Sequence, residues 1–438
     1  MSAIALDGLR ETIRAIEVIR HCGRVTEIGR GIVRLVGTEG NWCLGDRVEG
    51  RSRDAVWTGE VIAIERGGVL VMVDALPDGV ALGDRVKCLG AINLAPDNSW
   101  VGRVLDPFGR PLDGRAIGRG PQVRSLRSAP PAPGRRRRLG PRLETGTAAF
   151  DTLLPLVQGQ RVGLFAGSGV GKSTLIGKLA RGVRSDVTVI ALVGERGREL
   201  RDFIEDVLGP EGMARSVIIA ATSDQSPLTR RRCAWAAMAV AEHFRDQGLQ
   251  VLFIADSITR LAEAHREVAL AAGEPATLRG FPPSTSHLIM SLSERAGPGE
   301  GAQGDITAIL SVLVAGSDME EPIADILRGV LDGHVVMDRR IAERGRFPAI
   351  DLLRSVSRSL PQAATEEENR LIARARHLLG IHERAELMVQ AGLYEAGSDP
   401  LIDEAIRVHA RLDAFIAEDA PEGIERCFER LAAILEET

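Results

Sequence analysis

The chain has 438 residues, of which 44% are hydrophobic and 26% are charged, a balance that excludes a disordered or collagen-like chain and fits two or three globular domains. The formal net charge of -5 gives no overall bias towards nucleic acids or anionic membranes. The five cysteines are far apart, and the sequence has no apolar run of about 18 residues and no signal-peptide pattern. We therefore expect a cytoplasmic protein without zinc, disulfides or membrane spans.

An amphipathic helix is predicted over residues 1–22. Its apolar residues recur at helical spacing, at Leu6, Leu9, Ile13, Ile16 and Ile19. Packing of this helix against the rest of the chain is favoured, and contact with a partner or a membrane surface is the alternative.

A small β-barrel is predicted over residues 23–94. In this region short β-branched runs, such as 31–36 and 68–73, alternate with Gly and Asp. Small barrels can bind nucleic acid through surface aromatic side chains, and only Trp42 and Trp57 are available here. A structural or assembly role is therefore favoured for the barrel.

An α/β domain is predicted over residues 95–360. Apolar runs typical of strands alternate with amphipathic stretches such as 228–245, which indicates a mostly parallel sheet covered by helices on both faces. The predicted strands are 161–166, 187–193, 217–221 and 251–255. A proline-rich connector at 129–141 precedes these strands, and we interpret its four arginines at 135–138 as a solvated loop, with a phosphate-binding patch as the alternative.

A helical domain is predicted over residues 361–438, where the strand signals stop. Four helices are expected in it, at 366–379, 383–390, 399–415 and 421–435.

The strongest functional signal is a glycine-rich segment between a predicted strand and a helix that is expected to begin at Ser173. This is the setting of a phosphate-binding loop, in which backbone N–H groups and the helix N-terminus face the phosphates. We expect Lys172 to reach the β- and γ-phosphates and the Ser173 hydroxyl to coordinate Mg²⁺. Ala166 stands where the usual pattern has Gly. The expected nucleotide-binding residues are Ala166, Gly167, Ser168, Gly169, Val170, Gly171, Lys172, Ser173 and Thr174.

Two acidic residues follow predicted strands of the same sheet. Asp256 ends the apolar run at 252–255 and is the candidate second ligand for Mg²⁺. Glu195 follows the strand at 187–193, at the carboxyl edge of the sheet, where it is a candidate for orienting or deprotonating water. Taken without its context, the charged cluster around Glu195 is typical of a solvated helix start.

The order of these motifs resembles that of the catalytic subunits of rotary ATPases, and in detail that of the flagellar and type III secretion export ATPases. The resemblance extends from about residue 23 to residue 405 and implies a RecA-like P-loop ATPase core between an N-terminal β-barrel and a C-terminal helical domain. Its further segments are 106–114, 194–199, 256–260, 273–276, 280–284, 322–325, 331–334, 347–358 and 396–400.

The resemblance also implies roles for individual residues. Glu195 would polarise the attacking water, and Arg196 would hold the γ-phosphate together with Lys172. Arg358 would be an arginine finger that enters the site of a neighbouring subunit. Because one chain carries both the glutamate and the finger, the resemblance implies a homohexameric ring with a complete site at each interface.

Two aromatic residues are candidates for contacting adenine in this resemblance. Phe347 would lie against the base, together with Tyr394, the single tyrosine of the chain. Core packing is the alternative for each. A glycine-rich loop at 294–304 would line the pore of the ring, with an inert connector as the alternative.

The expected function is therefore a Mg-ATP-hydrolysing ring that energises flagellar protein export. Alternatives are the ATPase of a virulence-type secretion system, a rotary ATP synthase subunit, a ring-shaped RNA translocase and a structural ring that binds nucleotide without hydrolysis. The low aromatic content of 3% disfavours the translocase. The resemblance implies a stator-like negative regulator at the N-terminus, a central-stalk protein, an export gate and chaperone–cargo complexes as partners, no nucleic acid, and peripheral association with the inner membrane.

Overall fold

The structure, a computed structural model, describes residues 21–436 except 30, 39, 41, 54, 76–78, 278–279 and 315–318. Residues 1–20 of the predicted N-terminal helix therefore lie outside the described residues. The first six strands form a closed barrel: β1 (Cys22–Gly29), β2 (Ile32–Val36), β3 (Arg47–Arg51), β4 (Val56–Glu65), β5 (Gly68–Val73) and β6 (Arg85–Gly90).

The barrel encloses a core of alternating apolar residues. In β5, Val69, Val71 and Val73 are buried while the residues between them are more accessible, as the two-residue period of a strand requires. Trp42 and Trp57 are buried in the same core. Neither indole is available for stacking on a nucleic acid base, which agrees with a structural role for the barrel.

A central eight-stranded sheet follows the barrel along the chain. Its strands are β8 (Arg103–Leu105), β10 (Arg161–Ala166), β11 (Val187–Glu195), β12 (Ser216–Thr222), β13 (Val251–Asp256), β14 (Ile306–Leu313), β15 (Gly333–Met337) and β16 (Ile350–Ser357). Their order is β16-β15-β10-β14-β13-β11-β12-β8. All pairs are parallel except β15–β16. The parallel strands therefore end on one edge of the sheet, which we call the carboxyl edge. Two short strands, β7 (Asn93–Leu94) and β9 (Arg124–Ser125), pair separately.

Helices and turns cover both faces of this sheet. They are α1 (Ala148–Asp151), α2 (Lys172–Gly182), α3 (Gly197–Asp202), α4 (Gly209–Ala214), α5 (Pro227–Asp246), α6 (Ile258–Ala271), α7 (Ser284–Arg295), α8 (Pro322–Val330) and α9 (Arg339–Glu343), with a π-helical segment at Phe203–Leu208 and a 3₁₀ turn at Asn98–Trp100. Every residue of β13 is buried, as expected for a strand covered on both sides. The four strands predicted in this region and the helix predicted at 228–245 are confirmed.

The C-terminal domain contains three helices, α10 (Glu366–Gln390), α11 (Pro400–Ala417) and α12 (Ile424–Glu436), so the prediction of four is wrong. The segments 366–379 and 383–390 form one continuous helix through Gly380. A glycine in a helix costs about 1 kcal/mol, and burial of Leu378, Leu379 and Ile381 beside it outweighs that cost. In the described part of the chain, no helix is both long and apolar enough to cross a bilayer.

Arg135, Arg137 and Arg138 of the connector are exposed, as expected for a solvated loop, whereas Arg136 is half-buried. Arg136 donates hydrogen bonds to the carbonyl oxygens of Glu294 and Ala296, and Arg137 donates to the Asp305 carboxylate at 2.6 Å. These contacts hold the glycine-rich loop at 294–304 against the connector. The partners lie about 160 residues away along the chain, so local sequence gave no sign of them.

Candidate active site

A phosphate-binding loop connects β10 to α2. Gly169 and Gly171 have φ angles of 78° and 82°, a left-handed conformation that residues with a Cβ rarely adopt. The loop ends at Lys172, the first residue of α2, so the N-terminal N–H groups of the helix face the loop. Ala166 is still part of the strand, and its carbonyl oxygen accepts a bond from the backbone of Val314 at 3.1 Å. Alanine is therefore compatible with this position.

Lys172 and Asp256 lie in contact across the carboxyl edge. The Lys172 ammonium donates to Asp256 Oδ1, and the Ser311 hydroxyl donates to the same oxygen at 2.6 Å. Asp256 is the last residue of β13, two strands away from the loop strand β10 in the sheet. The parallel arrangement thus brings together residues that are 84 positions apart in the sequence.

Glu195 ends β11 at the same edge and is half-buried. Burial raises its pKa to about 7, and the nearby Asp256 charge and a hydrogen bond with Glu199 act in the same direction, whereas the Lys172 charge opposes them. A carboxylate with a pKa close to neutral is suited to exchange a proton with water at cellular pH. The alternative interpretation of this cluster as a solvated helix start applies to the exposed Arg196, which pairs with Glu199 at 3.1 Å, but not to Glu195.

A cavity of about 920 Å³ lies beside Lys172 and Glu195. Its lining includes most of the phosphate-binding loop, Glu195 and Arg196. A smaller cavity of about 180 Å³ beside it is lined by Ser173, Glu195 and Asp256. The structure therefore brings together the predicted residues Lys172, Ser173, Glu195, Arg196 and Asp256 at one site.

The donor set fits Mg²⁺ bound together with a nucleotide. Ser173 and Asp256 offer hydroxyl and carboxylate oxygens, which are the hard ligands that Mg²⁺ prefers. Within the described ranges, no group of three or more His, Cys, Asp or Glu side chains is arranged to hold a metal ion by itself.

The two aromatic candidates lie in different surroundings. A Cβ added at Gly171 would approach the ring of Phe347 to 3.1 Å, so this ring lies against the phosphate-binding loop, and it is 50% exposed. The Tyr394 hydroxyl instead donates to Asp399 and Asp403 of the C-terminal domain, at 3.0 and 2.9 Å. The structure thus brings Phe347, but not Tyr394, to the loop. An adenine contact stays a prediction for both.

Arg358 lies at the opposite edge of the sheet. It follows Ser357, which pairs with Gly333 at the start of β15, whereas Met337 at the other end of β15 pairs with Ala166 beside the loop. A strand of this length spans about 15–20 Å. Arg358 is exposed and donates to the carbonyl of Arg328 at 3.1 Å. It therefore takes no part in the cavity of its own chain.

Several residues of the site were not predicted. Arg230, Thr259, Arg260 and Glu263 line the large cavity. For Arg260 the sequence contained a signal, because a helix that begins directly after the Asp256 strand has its first turn at the carboxyl edge. For Ser311, a lone serine in an apolar strand, there was none.

Comparison with known proteins identifies the family. The nucleotide-binding domain of the ATP synthase alpha/beta family matches residues 146–357, and the C-terminal domain of the type III secretion ATPase EscN matches residues 364–433. The chain is 40% identical to the flagellum-specific ATP synthase of Caulobacter vibrioides, over 98% of this chain and 99% of that protein. It belongs to the ATP synthase alpha/beta family. The predicted fold class, with its RecA-like nucleotide-binding core, is confirmed.

Members of this family with two different uses resemble the chain to a similar degree. The type 3 secretion system ATPase of Xanthomonas euvesicatoria is 42% identical over 93% of this chain and 91% of its own length. The structure of the assembled ATPase EscN from enteropathogenic E. coli superimposes with a TM-score of 0.87 at 36% identity, covering 94% of this chain and all of that one. EscN in complex with its central stalk EscO gives a TM-score of 0.85. The chain is thus a nucleotide-binding ATPase of this family.

Proposed function

We propose that this ATPase hydrolyses Mg-ATP as a homohexameric ring and thereby energises protein export through the flagellar type III secretion apparatus. The observation that carries the proposal is the placement of Glu195 and Arg358 at opposite edges of the same sheet in one chain. A chain with a water-activating group at one edge and an exposed arginine at the other is suited to share its sites with identical neighbours.

The phosphate-binding loop and Lys172 bind the phosphates of ATP in this proposal. Backbone N–H groups of the loop and the N-terminus of α2 provide positive potential, and the Lys172 ammonium contacts the β- and γ-phosphates. Ser173 and Asp256 would hold Mg²⁺, which would supply positive charge that neutralises the phosphates. Phe347, whose ring lies against Gly171, is the proposed adenine contact.

Glu195 is the proposed general base. Its carboxylate orients a water molecule and accepts a proton from it as the water oxygen forms a bond to the γ-phosphorus and the bond to ADP breaks. The position of Glu195 at the wall shared by both cavities supports this role. Arg196, which is exposed in the large cavity, and Arg358 of a neighbouring subunit would stabilise the charge that develops on the transferred group.

The proposed partners follow from the relatives. The complex of EscN with the central stalk EscO supports a central-stalk protein for this chain. A stator-like negative regulator is proposed for residues 1–20, which lie outside the described residues, and an export gate and chaperone–cargo complexes for the assembled ring. We propose a cytoplasmic protein that associates peripherally with the inner-membrane export apparatus and does not bind nucleic acid.

Deletion of residues 1–20 is expected to weaken regulator binding in a pull-down while monomer nucleotide binding is retained. Unchanged regulator affinity would contradict this assignment.

A virulence-type secretion system is the second candidate, because the Xanthomonas ATPase is as similar to the chain as the flagellar relatives are. Expression of this chain in a strain that lacks its flagellar ATPase and in one that lacks its secretion ATPase separates the two uses. Recovery of motility supports the flagellar proposal, and recovery of effector secretion alone supports the second candidate.

The enzymatic proposal is tested by steady-state ATP hydrolysis measured against protein concentration. We expect specific activity to rise steeply with concentration, since complete sites form only between subunits, and to be lost in Glu195→Gln and in Arg358→Ala. Activity that is independent of concentration and survives Arg358→Ala would mean that each chain works alone.

A further inference from the structure

Ser311 lies in the strand between the phosphate-binding loop and the Mg²⁺ ligand. Strand β14 is flanked by β10, which leads into the loop, and by β13, which ends at Asp256. In this register Ser311 is paired with Leu164 of β10, and the preceding Leu310 is paired with Ala255 of β13. Ser311 is therefore the residue of β14 next to Asp256.

The Ser311 hydroxyl is fully buried in an otherwise apolar part of the strand. Its exposed fraction is 0%, and residues 308–310 and 312 around it are apolar and buried. A buried hydroxyl is unfavourable unless it is hydrogen-bonded. The bond that it makes is to Asp256 Oδ1 at 2.6 Å, the short distance typical of a hydroxyl that donates to a charged carboxylate.

The two donors to Asp256 Oδ1 differ in what else they do. Lys172 lines the large cavity and is proposed to bind phosphate, so it is itself part of the nucleotide site. Ser311 lines neither of the two cavities at the site, and its hydroxyl is hydrogen-bonded to Asp256. Its bond fixes one carboxylate oxygen and thereby restricts rotation of the carboxylate, which lines the smaller cavity together with Ser173.

We propose that Ser311 is a positioning residue that holds the Asp256 carboxylate for Mg²⁺ and so sets the affinity of the nucleotide site for this ion. The inference rests on the proposed role of Asp256 as a Mg²⁺ ligand. Partners of metal ligands act in this way in many proteins, and their loss lowers metal affinity because the ligand is no longer held in one orientation.

The test compares Ser311→Ala with Ser311→Thr, which keeps a hydroxyl at this position. Binding of a fluorescent ADP analogue is titrated over a range of Mg²⁺ concentrations and again in EDTA, and the Mg²⁺ concentration for half-maximal ATP hydrolysis is measured alongside. For Ser311→Ala we expect the apparent Mg²⁺ affinity to fall about tenfold or more, with the affinity for nucleotide in EDTA unchanged and kcat at saturating Mg²⁺ largely retained. Ser311→Thr should restore most of the Mg²⁺ affinity.

A matched control lies on the same strand. Thr307 lies four residues before Ser311, and its hydroxyl is also buried. This hydroxyl accepts a hydrogen bond from the Gly159 N–H at 2.9 Å. Thr307→Val should lower the melting temperature without changing the dependence on Mg²⁺. A loss of Mg²⁺ affinity in Thr307→Val equal to that in Ser311→Ala would show a general effect of strand packing and overturn the inference.

Asp256→Asn separates the inference from the function on which it rests. If Asp256→Asn binds Mg²⁺ and nucleotide like the wild type, the proposed role of Asp256 fails and the inference fails with it. If Asp256→Asn loses Mg²⁺ dependence while folded Ser311→Ala keeps wild-type affinity for Mg²⁺, the positioning role of Ser311 alone is overturned.

Discussion

Two buried groups of charged side chains in the same domain are organised in opposite ways. On one face of the sheet, Arg295 of α7 and Glu242 of α5 are 2% and 3% exposed. The guanidinium donates to both carboxylate oxygens, at 2.8 and 2.7 Å, and to the Leu126 carbonyl at 2.7 Å. Each charge in this pair has a partner of opposite sign and good hydrogen-bond geometry, which is what a stable buried ion pair requires.

At the carboxyl edge the charges do not balance. Burial raises the pKa of Glu195 most, the Asp256 charge and a hydrogen bond with Glu199 raise it further, and the Lys172 charge lowers it. The result is a glutamate whose pKa is raised to about 7. The comparison teaches that a balanced pair fixes structure, whereas a half-buried carboxyl beside other acids becomes a group that exchanges protons under cellular conditions.

The largest expected effect is on catalysis at the unbalanced cluster. Glu195→Gln keeps the shape of the side chain but removes the proton acceptor, so kcat should fall by about 10²–10⁴-fold. Steady-state ATP hydrolysis measures it, and Glu199→Gln, a change to the neighbouring acid, is the matched control. The contrast between the clusters would fail if Glu199→Gln lost as much activity as Glu195→Gln, since the effect would then reflect the local charge rather than one proton acceptor.

The next effect is on stability at the balanced pair. Arg295→Met leaves the Glu242 carboxylate buried without its partner, so the free energy of unfolding should fall by about 3–5 kcal/mol. Urea denaturation followed by circular dichroism provides the measurement. The double variant Glu242→Leu with Arg295→Met should recover much of the loss, because no charge then remains buried. A single variant as stable as the wild type would show that the pair is not structural.

The smallest effect is a pH-dependent gain of stability in Glu195→Gln. Because the folded-state pKa of Glu195 is raised from 4.5 to about 7, its contribution to stability is complete below the unfolded pKa and is lost as the pH rises towards 7. Above pH 7 the wild type contains an unfavourable charge that the variant lacks. The free energy of unfolding of the variant should therefore exceed that of the wild type by about 1–3 kcal/mol at about pH 8 and differ little from it at about pH 4.5. Equal differences at both pH values would contradict the raised pKa.

The parts of the site that were predicted from sequence are those encoded by contiguous residues. A glycine-rich loop before a lysine and acids at the ends of strands are local patterns, and parallel strand order brings them to one edge without further information. Local sequence patterns do not predict the structure where tertiary packing determines it. Separate helices were predicted at 366–379 and 383–390, but the buried residues on either side of Gly380 keep one helix continuous.

Long-range partners were beyond the reach of the sequence. Arg136 and Arg137 resemble any solvated basic run until the glycine-rich loop is placed against them. Ser311 has no distinguishing neighbours in the sequence, and its relation to Asp256 depends on the register of β13 and β14. Both cases depend on pairings between distant segments, which no local pattern specifies.

The most direct test of the shared-site account is a mixing measurement with two inactive variants, Glu195→Gln and Arg358→Ala. In a ring of randomly mixed subunits, about one half times one half, or a quarter, of the interfaces would combine an intact Glu195 with an intact Arg358 from the neighbour. We predict that ATP hydrolysis, absent from each variant alone, returns when the two are mixed and assembled. Energy transfer between wild-type subunits carrying a donor dye and variant subunits carrying an acceptor dye confirms that subunits exchange. No recovery under conditions in which the subunits exchange would contradict the account, because it would place both residues in the site of a single chain.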